Sequence, residues 1–353
     1  MTRTVAVIPA GGVGTRLWPR SRRSTPKHVL PLGDHGRPLL RATYDRAKRL
    51  ADEVFVLTET RQLEIIAGVL PEVDSSHMIL EPSARGTTNA YGLAALVLSE
   101  LVPGAAMVAM PADHVVRGSA KVTSTVRTAI RAAMTSDALV TVGLKPTFPS
   151  TGLGYIYAPG RRQAGALRVK RFIEKPDLAS ARRFIRKGGY YWNLAWFCWR
   201  NEVFLEQMGQ HAPRQLAGLR KVMAARRAGD EPAAAALYNR LPVEVIDRTI
   251  MEKTDRLLLV PADFDWADIG NWAEMGDRVR EDAQGNSVEG ESVLVETTGS
   301  LILGGRRLIA AIGLEDMIIV DTEDALLVCP RSRAQDVRKV VDALRRAHKT
   351  RYL

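Results

Sequence analysis

Sulfur chemistry is nearly absent from this sequence. Its two cysteines, Cys198 and Cys329, lie in apolar contexts and belong to no metal-spaced cluster. That excludes a disulfide scaffold and a cysteine-built metal module, and both thiols are expected to pack as small hydrophobes. Long apolar runs are also missing, since none approaches the ~18 residues of a membrane helix. No charged-then-apolar leader opens the chain, which runs straight into an apolar stretch at Val5. The expectation is a cytoplasmic protein with no membrane association. Two common phosphate motifs fail as well. A dinucleotide fingerprint starting at Gly12 would need glycine or alanine at 17, where Leu17 stands, and no G-K-[ST] follows to complete a P-loop.

What is present suffices for a sizeable core. Apolar residues make up 46% of the 353, too many for a disordered chain, and the length suits two domains or one large and one small. The formal net charge of +11 fits nucleic acid, a membrane surface or small anions. Nucleic-acid binders concentrate such charge among aromatics. Here arginine is spread along helical stretches, as at Arg182-Arg183, Arg226-Arg227 and Arg345-Arg346. Most of it reads as solvated surface, with a local anion site near Arg16 and Lys27, and nucleic acid is not an expected partner.

That site lies in the stretch from Val5 to Gly33, which organises the chain. Val5 to Ile8 read as a buried strand. Gly11, Gly12 and Gly14 then let the backbone turn tightly and expose N–H groups, and Arg16 and Lys27 add positive charge. A strand ending in a glycine loop with basic residues suits a phosphate chain, although a plain tight turn would leave the same trace.

Downstream, strand patterns over 53–58, 78–80, 105–110 and 139–142 alternate with helical ones over 38–50, 61–70, 90–101 and 119–134. The alternation predicts a mostly parallel sheet with helices on both faces, whose ligands bind beyond the carboxyl ends of the strands. Informative polar residues do follow strands. Glu81-Pro82-Ser83-Ala84-Arg85-Gly86 follows one, where Thr87 or Thr88 also suits a helix cap. Pro111-Ala112-Asp113-His114 follows another, and a strand-end carboxylate suits Mg²⁺ as well as a turn. Arg168 to Ile173 alternates as one strand into Glu174-Lys175-Pro176. Tyr190 to Trp199 reads as a buried aromatic strand in which Asn193 is the polar exception. If Asn193 faces a pocket, alternation sends Ala195 there too and turns Leu194 and Trp196 to the core. Residues 277–286 are a plausible boundary. Beyond them, short β-rich pieces recur at even spacing, which predicts a small β-solenoid. An amphipathic helix is expected over Arg333 to Arg346.

GGVGTRLWP followed by PKHVLPL resembles the signature of the sugar-1-phosphate nucleotidyltransferases, and the tryptophan after Arg-Leu points to the mannose-1-phosphate guanylyltransferases. Asp265-Trp266-Ala267-Asp268-Ile269-Gly270-Asn271-Trp272 resembles that family's D-W-x-D-[VI]-G-x-W. The TGLGY stretch at 151–155, Glu174-Lys175-Pro176, Asn193 and the stretch LPVEVIDRTIMEK resemble its other segments. The resemblance implies an α/β fold. A Rossmann-like nucleotidyltransferase domain with a mostly parallel sheet spans 1–280, and a small left-handed β-helix-like domain with a terminal helix spans 286–353. An isomerase domain appended in longer relatives is not expected.

The implied reaction moves GMP from GTP to a sugar 1-phosphate, most simply α-D-mannose 1-phosphate, with Mg²⁺ as cofactor and a homodimer as the assembly. Ala10, Gly11, Gly12, Gly14, Thr15, Arg16, Lys27, Glu81, Arg85 and Asp113 would meet the nucleotide. Asp113 and Asp268 would hold the metal. Gly154, Glu174, Lys175 and Asn193 would meet the sugar phosphate, and Arg16, Lys27, Asp113, Lys175 and Asp268 would carry catalysis. Gly86 stands where many relatives carry Asn, and Leu194-Ala195-Trp196 depart from the family's W-N-S-G-M-F. A different sugar or cyclitol phosphate is therefore a rival acceptor. A non-catalytic nucleotide-sensing subunit is a rival of another class. It would be expected to have lost basic or acidic site residues that this chain keeps.

Overall fold

A computed structural model describes residues 3–33 and 36–353. The chain forms two compact units that cut across the segments 1–280 and 286–353. The first comprises Met1–Gly11, Arg41–Ala112 and Val116–Trp266; the second comprises Gly12–Leu40, Asp113–Val115 and Ala267–Leu353.

The strands up to residue 268 are β1 (Thr4–Pro9), β2 (Glu53–Glu59), β3 (Met78–Glu81), β4 (Ala106–Ala109), β5 (His114–Arg117), β6 (Leu139–Leu144), β7 (Tyr155–Tyr157), β8 (Leu167–Arg168), β9 (Arg171–Ile173), β10 (Tyr190–Arg200), β11 (Leu257–Ala262) and β12 (Asp265–Asp268). The main sheet of the first unit runs β3-β2-β1-β4-β10-β6-β11-β8, with β7 and β9 off this path. β3, β2, β1 and β4 are mutually parallel, as are β6 and β11; β10 runs antiparallel between the two sets. Val5 to Ile8 are fully buried, as expected of an apolar run in a sheet covered on both faces.

Small residues bring the helices close. In α3 (Thr87–Leu101), a Cβ on Gly92 would lie 2.6 Å from a Leu219 methyl and 2.7 Å from the Met208 methyl, so those side chains fill its place. One strand expectation needs correction. Arg168 to Ile173 is not a single strand, because the chain changes partners at Val169 and Lys170: β8 pairs with β11, and β9 pairs with β7. β10 carries an irregularity between Asn193 and Phe197, and Ala195 takes φ +53°. Leu194 and Trp196 are almost fully buried, whereas Ala195 is half-buried. The bulky departures from the family motif therefore face the core, and what changes beside Asn193 is one methyl group.

In the second unit, β13 (Ser287–Glu289), β15 (Leu301–Leu303) and β17 (Met317–Asp321) stack in parallel, with β18 (Leu326–Pro330) antiparallel to β17. β14 (Ser292–Val295) and β16 (Ile309–Ile312) form a parallel pair of their own. This is the β-helix-like pattern expected from the even spacing. Leu301, Leu303, Ile318 and Val320 fill its interior. The terminal helix covers Val337–Arg346, shorter than expected because a 3₁₀ segment, Arg331–Asp336, precedes it. It buries Val337 and Val341 in the cluster that holds Leu17, Trp18 and Trp272. Two indoles tie the N-terminal segment in: Trp272 Nε1 donates to Trp18 O at 2.8 Å, and Trp18 Nε1 donates to Tyr352 O at 2.7 Å. Among the described residues no helix is long and apolar enough to cross a membrane.

Candidate active site

β1 delivers the chain into the glycine loop. Ala10 N–H donates to Leu57 O at 2.8 Å, and Ala10 O accepts from the Thr58 hydroxyl at 2.8 Å. Gly12 and Gly14 then take φ +81° and +77°, and Gly14 starts the 3₁₀ turn Thr15–Leu17. Gly14 has a second reason to be glycine. A Cβ there would sit 2.5 Å from the Lys27 Cβ, so the loop crosses the lysine stem in contact. Lys27 N–H donates to Val13 O at 3.0 Å and closes that crossing.

The lysine so held is the centre of the second unit's polar cluster. Its Nζ donates to Asp113 Oδ2 at 2.8 Å and to Asp268 Oδ1 at 2.7 Å. Burial alone would lower the Lys27 ammonium, but Asp113 and Asp268 outweigh it and hold the group above its ordinary value. Burial acts on Asp113 in the opposite sense, and Lys27, followed by His114 and His28, keeps that carboxyl well below the usual range. Burial pushes His28 down to about 4, so it is neutral beside the lysine.

The segment after Asp268 is stiffened locally. Asn271 Oδ1 caps the helix Trp272–Gly276 by accepting from Ala273 N at 2.9 Å and Glu274 N at 3.2 Å. Glu274 in turn accepts from Gly270 N at 2.6 Å. Arg16 is tethered by Gln335, with Nη1 to Oε1 at 2.8 Å. Among the described residues no three His, Cys, Asp or Glu side chains are grouped as a metal site. Asp113 and Asp268 fit a hard divalent cation even so. Such an ion accepts one or two carboxylates and completes its shell with water and substrate phosphate.

The first unit gathers a different set. A Cβ on Gly154 would meet Glu174 Oε2 at 2.8 Å and Asn193 Cβ at 3.3 Å, and Gly154 O accepts from Asn193 N at 2.8 Å. Lys175 takes φ +48°, a sparsely populated conformation for a non-glycine residue, and its ammonium lies 2.8 Å from Glu174 Oε1. It is half-exposed, whereas Lys27 is buried. Asn193 Oδ1 accepts from the Thr141 hydroxyl at 3.0 Å and from Ala195 N at 3.1 Å, and its Nδ2 donates to Asp247 Oδ1 at 2.9 Å.

Sequence reasoning passed over Asp247. It starts the π-helical turn Asp247–Met251, a backbone form common at functional sites, inside the LPVEVIDRTIMEK stretch. Burial, reinforced by Glu174, pushes its carboxyl up to about 7. Glu252, which accepts from Glu174 N at 2.8 Å, was equally unmarked.

Two residues expected at the nucleotide, Glu81 and Arg85, also lie in the first unit. Glu81 is 6% exposed, and one carboxylate oxygen accepts from the buried Tyr238 hydroxyl. Arg85 donates to Asn239 O. Burial pushes the Glu81 carboxyl from its ordinary 4.5 up to about 7, opposed by the Tyr238 bond and helped by Glu59. A raised acid stabilises the fold fully below pH 4.5, and that contribution is lost as the pH rises through 7. Glu81→Gln should therefore lose less stability than wild type between pH 5 and pH 8, by about 2 kcal/mol. Urea unfolding at both values measures it, and parallel curves would count against the buried carboxyl.

Comparison with known proteins adds to this geometry. The nucleotidyl transferase family pattern matches residues 5–285, and that of the MannoseP isomerase/GMP-like beta-helix domain matches 290–344. The xanthan biosynthesis protein XanB of Xanthomonas campestris pv. campestris is 36% identical over 98% of this chain and 74% of its own length. A mannose-1-phosphate guanylyltransferase of Escherichia coli is 34% identical over 98% of this chain and 75% of its own. Among solved structures, a Thermus thermophilus protein described as a mannose-1-phosphate geranyltransferase is 32% identical. It covers 98% of this chain and 100% of its own, with a TM-score of 0.85.

Proposed function

This chain belongs to the nucleotidyl transferase family, among the mannose-1-phosphate guanylyltransferases, and from that premise we propose that it transfers GMP from GTP to α-D-mannose 1-phosphate. The observation that carries the site assignment is the convergence of Lys27, Asp113 and Asp268 beside the glycine loop. A nonbridging phosphate oxygen of the sugar 1-phosphate attacks the α-phosphorus of GTP. The bond from that phosphorus to the β-phosphate oxygen breaks, and pyrophosphate leaves. The attacking oxygen is already anionic, so no general base is required. The reaction demands positioning and charge neutralisation.

The backbone N–H groups of Gly11, Gly12, Gly14 and Thr15 take phosphate oxygens, and Arg16 and Lys27 carry the charge that builds on the leaving pyrophosphate. Asp113 and Asp268 would hold Mg²⁺, which when bound supplies Lewis-acid stabilisation at the α-phosphate. Lys175 holds the sugar's phosphate as a mobile point charge, and Glu174 and Asn193 accept or donate to ring hydroxyls. The burial of Leu194 and Trp196 supports mannose 1-phosphate over a cyclitol phosphate, since it leaves the sugar pocket nearly as the family motif would have it. Pyrophosphate release over a grid of nucleoside triphosphates and mannose, glucose and cyclitol 1-phosphates tests the reading. GTP with mannose 1-phosphate should give the highest kcat/KM, and a rival acceptor about a hundredfold better would overturn it.

The two lysines should separate kinetically. Lys175→Ala should raise KM for the sugar phosphate about tenfold or more and leave KM for GTP within about threefold; Lys27→Ala should do the reverse. Equal effects of both variants on both substrates would refute the division.

A further inference from the structure

Lys27 has little left for a triphosphate while it holds both carboxylates. Two of the three N–H donors of its ammonium are spent on Asp113 Oδ2 at 2.8 Å and Asp268 Oδ1 at 2.7 Å. Its side chain is 8% exposed, whereas those of Asp113 and Asp268 are 39% and 34% exposed. The lysine is therefore nearly buried, whereas both carboxylates are partly open to solvent. Asp113 Oδ1 also has His114 Nε2 at 3.8 Å.

Two carboxylates meeting on one small cation is the arrangement a divalent ion would make with them. A second cation on the same oxygens would sit within a few ångströms of the ammonium and be repelled by it. The base of the lysine cannot withdraw, because its Cβ is wedged against Gly14 and its N–H is bonded to Val13 O. The distal methylenes can swing, since a four-carbon stem pivots beyond its fixed root.

We propose that, with no nucleotide bound, the Lys27 ammonium fills the place of the divalent cation between Asp113 and Asp268. The ion gains that place only when a triphosphate draws the ammonium away. The inference rests on the reading of these two carboxylates as metal ligands. It makes cation and nucleotide binding reciprocal, each strengthening the other.

Mn²⁺ is a suitable probe, with water-proton relaxation reporting protein-bound ion in the full chain without turnover. Wild type alone should bind Mn²⁺ weakly, and GTP without acceptor should tighten binding about tenfold or more. Lys27→Met keeps the stem and loses the charge; without nucleotide it should bind Mn²⁺ about tenfold tighter than wild type, whereas Lys27→Arg should not. Asp113→Asn should abolish binding in both the wild-type and Lys27→Met backgrounds. Thermal melting of the same samples checks folding, and Lys27→Gln replaces the methionine variant if that one does not fold. If the uncharged variant binds no tighter than wild type while Asp113→Asn still abolishes binding, the placeholder role is overturned and the metal reading stands. If Asp113→Asn leaves Mn²⁺ binding unchanged, both are overturned.

Discussion

Asp113→Asn and Asp268→Asn should each lower kcat by about a hundredfold or more, with the fold intact. Asparagine keeps the shape of the side chain and removes its charge. In each variant the remaining carboxylate still pairs with Lys27 at 2.7–2.8 Å, so no buried ammonium is left without a partner. Thermal melting should therefore change little. What is lost is half of the negative charge available to a hard cation, at the step where charge on the triphosphate must be neutralised. The measurement is kcat at saturating GTP, mannose 1-phosphate and Mg²⁺. Activity within about tenfold of wild type in either variant would remove that residue from the reaction.

Gly86→Ala should be the most damaging of the small substitutions, costing about 3 kcal/mol and lowering the melting temperature by roughly 5 °C or more. Gly86 takes φ +80°, and a Cβ there would lie 2.1 Å from Glu244 O and 2.7 Å from Glu244 C. Both are backbone atoms, so no side chain can turn aside. The neighbours explain why that segment cannot retreat. Thr88 N–H donates to Glu244 O at 3.2 Å, Ile246 N–H donates to the Thr87 hydroxyl at 2.9 Å, and Asn89 Nδ2 donates to Pro242 O at 2.7 Å. Gly12→Ala is the control. Its φ is +81°, but nothing lies within 4 Å of the new methyl, so it should cost only the conformational penalty of about 1 kcal/mol. Equal destabilisation by the two substitutions would mean that the 242–249 segment does not dock as described.

Much of the fold was legible because it depends on local pattern. Apolar, β-branched runs such as Val5 to Ile8 read as buried strands, and the glycine loop, Asp113 and Asp268 stand out by residue type beside strand ends. What was hidden depends on partners distant in sequence. Nothing near Glu81 in the sequence announces the Tyr238 hydroxyl that bonds its carboxylate. Asp247 looked like one acid among several until the fold set it against Asn193 and Glu174. Arg168 to Ile173 alternates as a strand should, but alternation does not say that its two ends pair with different neighbours. Burial of Leu194 and Trp196 followed from simple alternation; the positive φ at Ala195 did not.

The indole bonds of Trp18 and Trp272 bear on the order in which this chain can fold as it is made. Gly12–Leu40 is made long before Ala267–Leu353, the segment that completes its compact unit. The acceptor for the Trp18 indole is Tyr352 O, 334 residues further along the chain. A nascent chain can close the β3-β2-β1-β4 half of its sheet once residue 109 has emerged, because those strands come early. The glycine loop that follows β1 can be tied in only after Ala267–Leu353 has been made. Chaperones and proteases therefore meet a chain whose main sheet can begin to form early and whose glycine loop is set late.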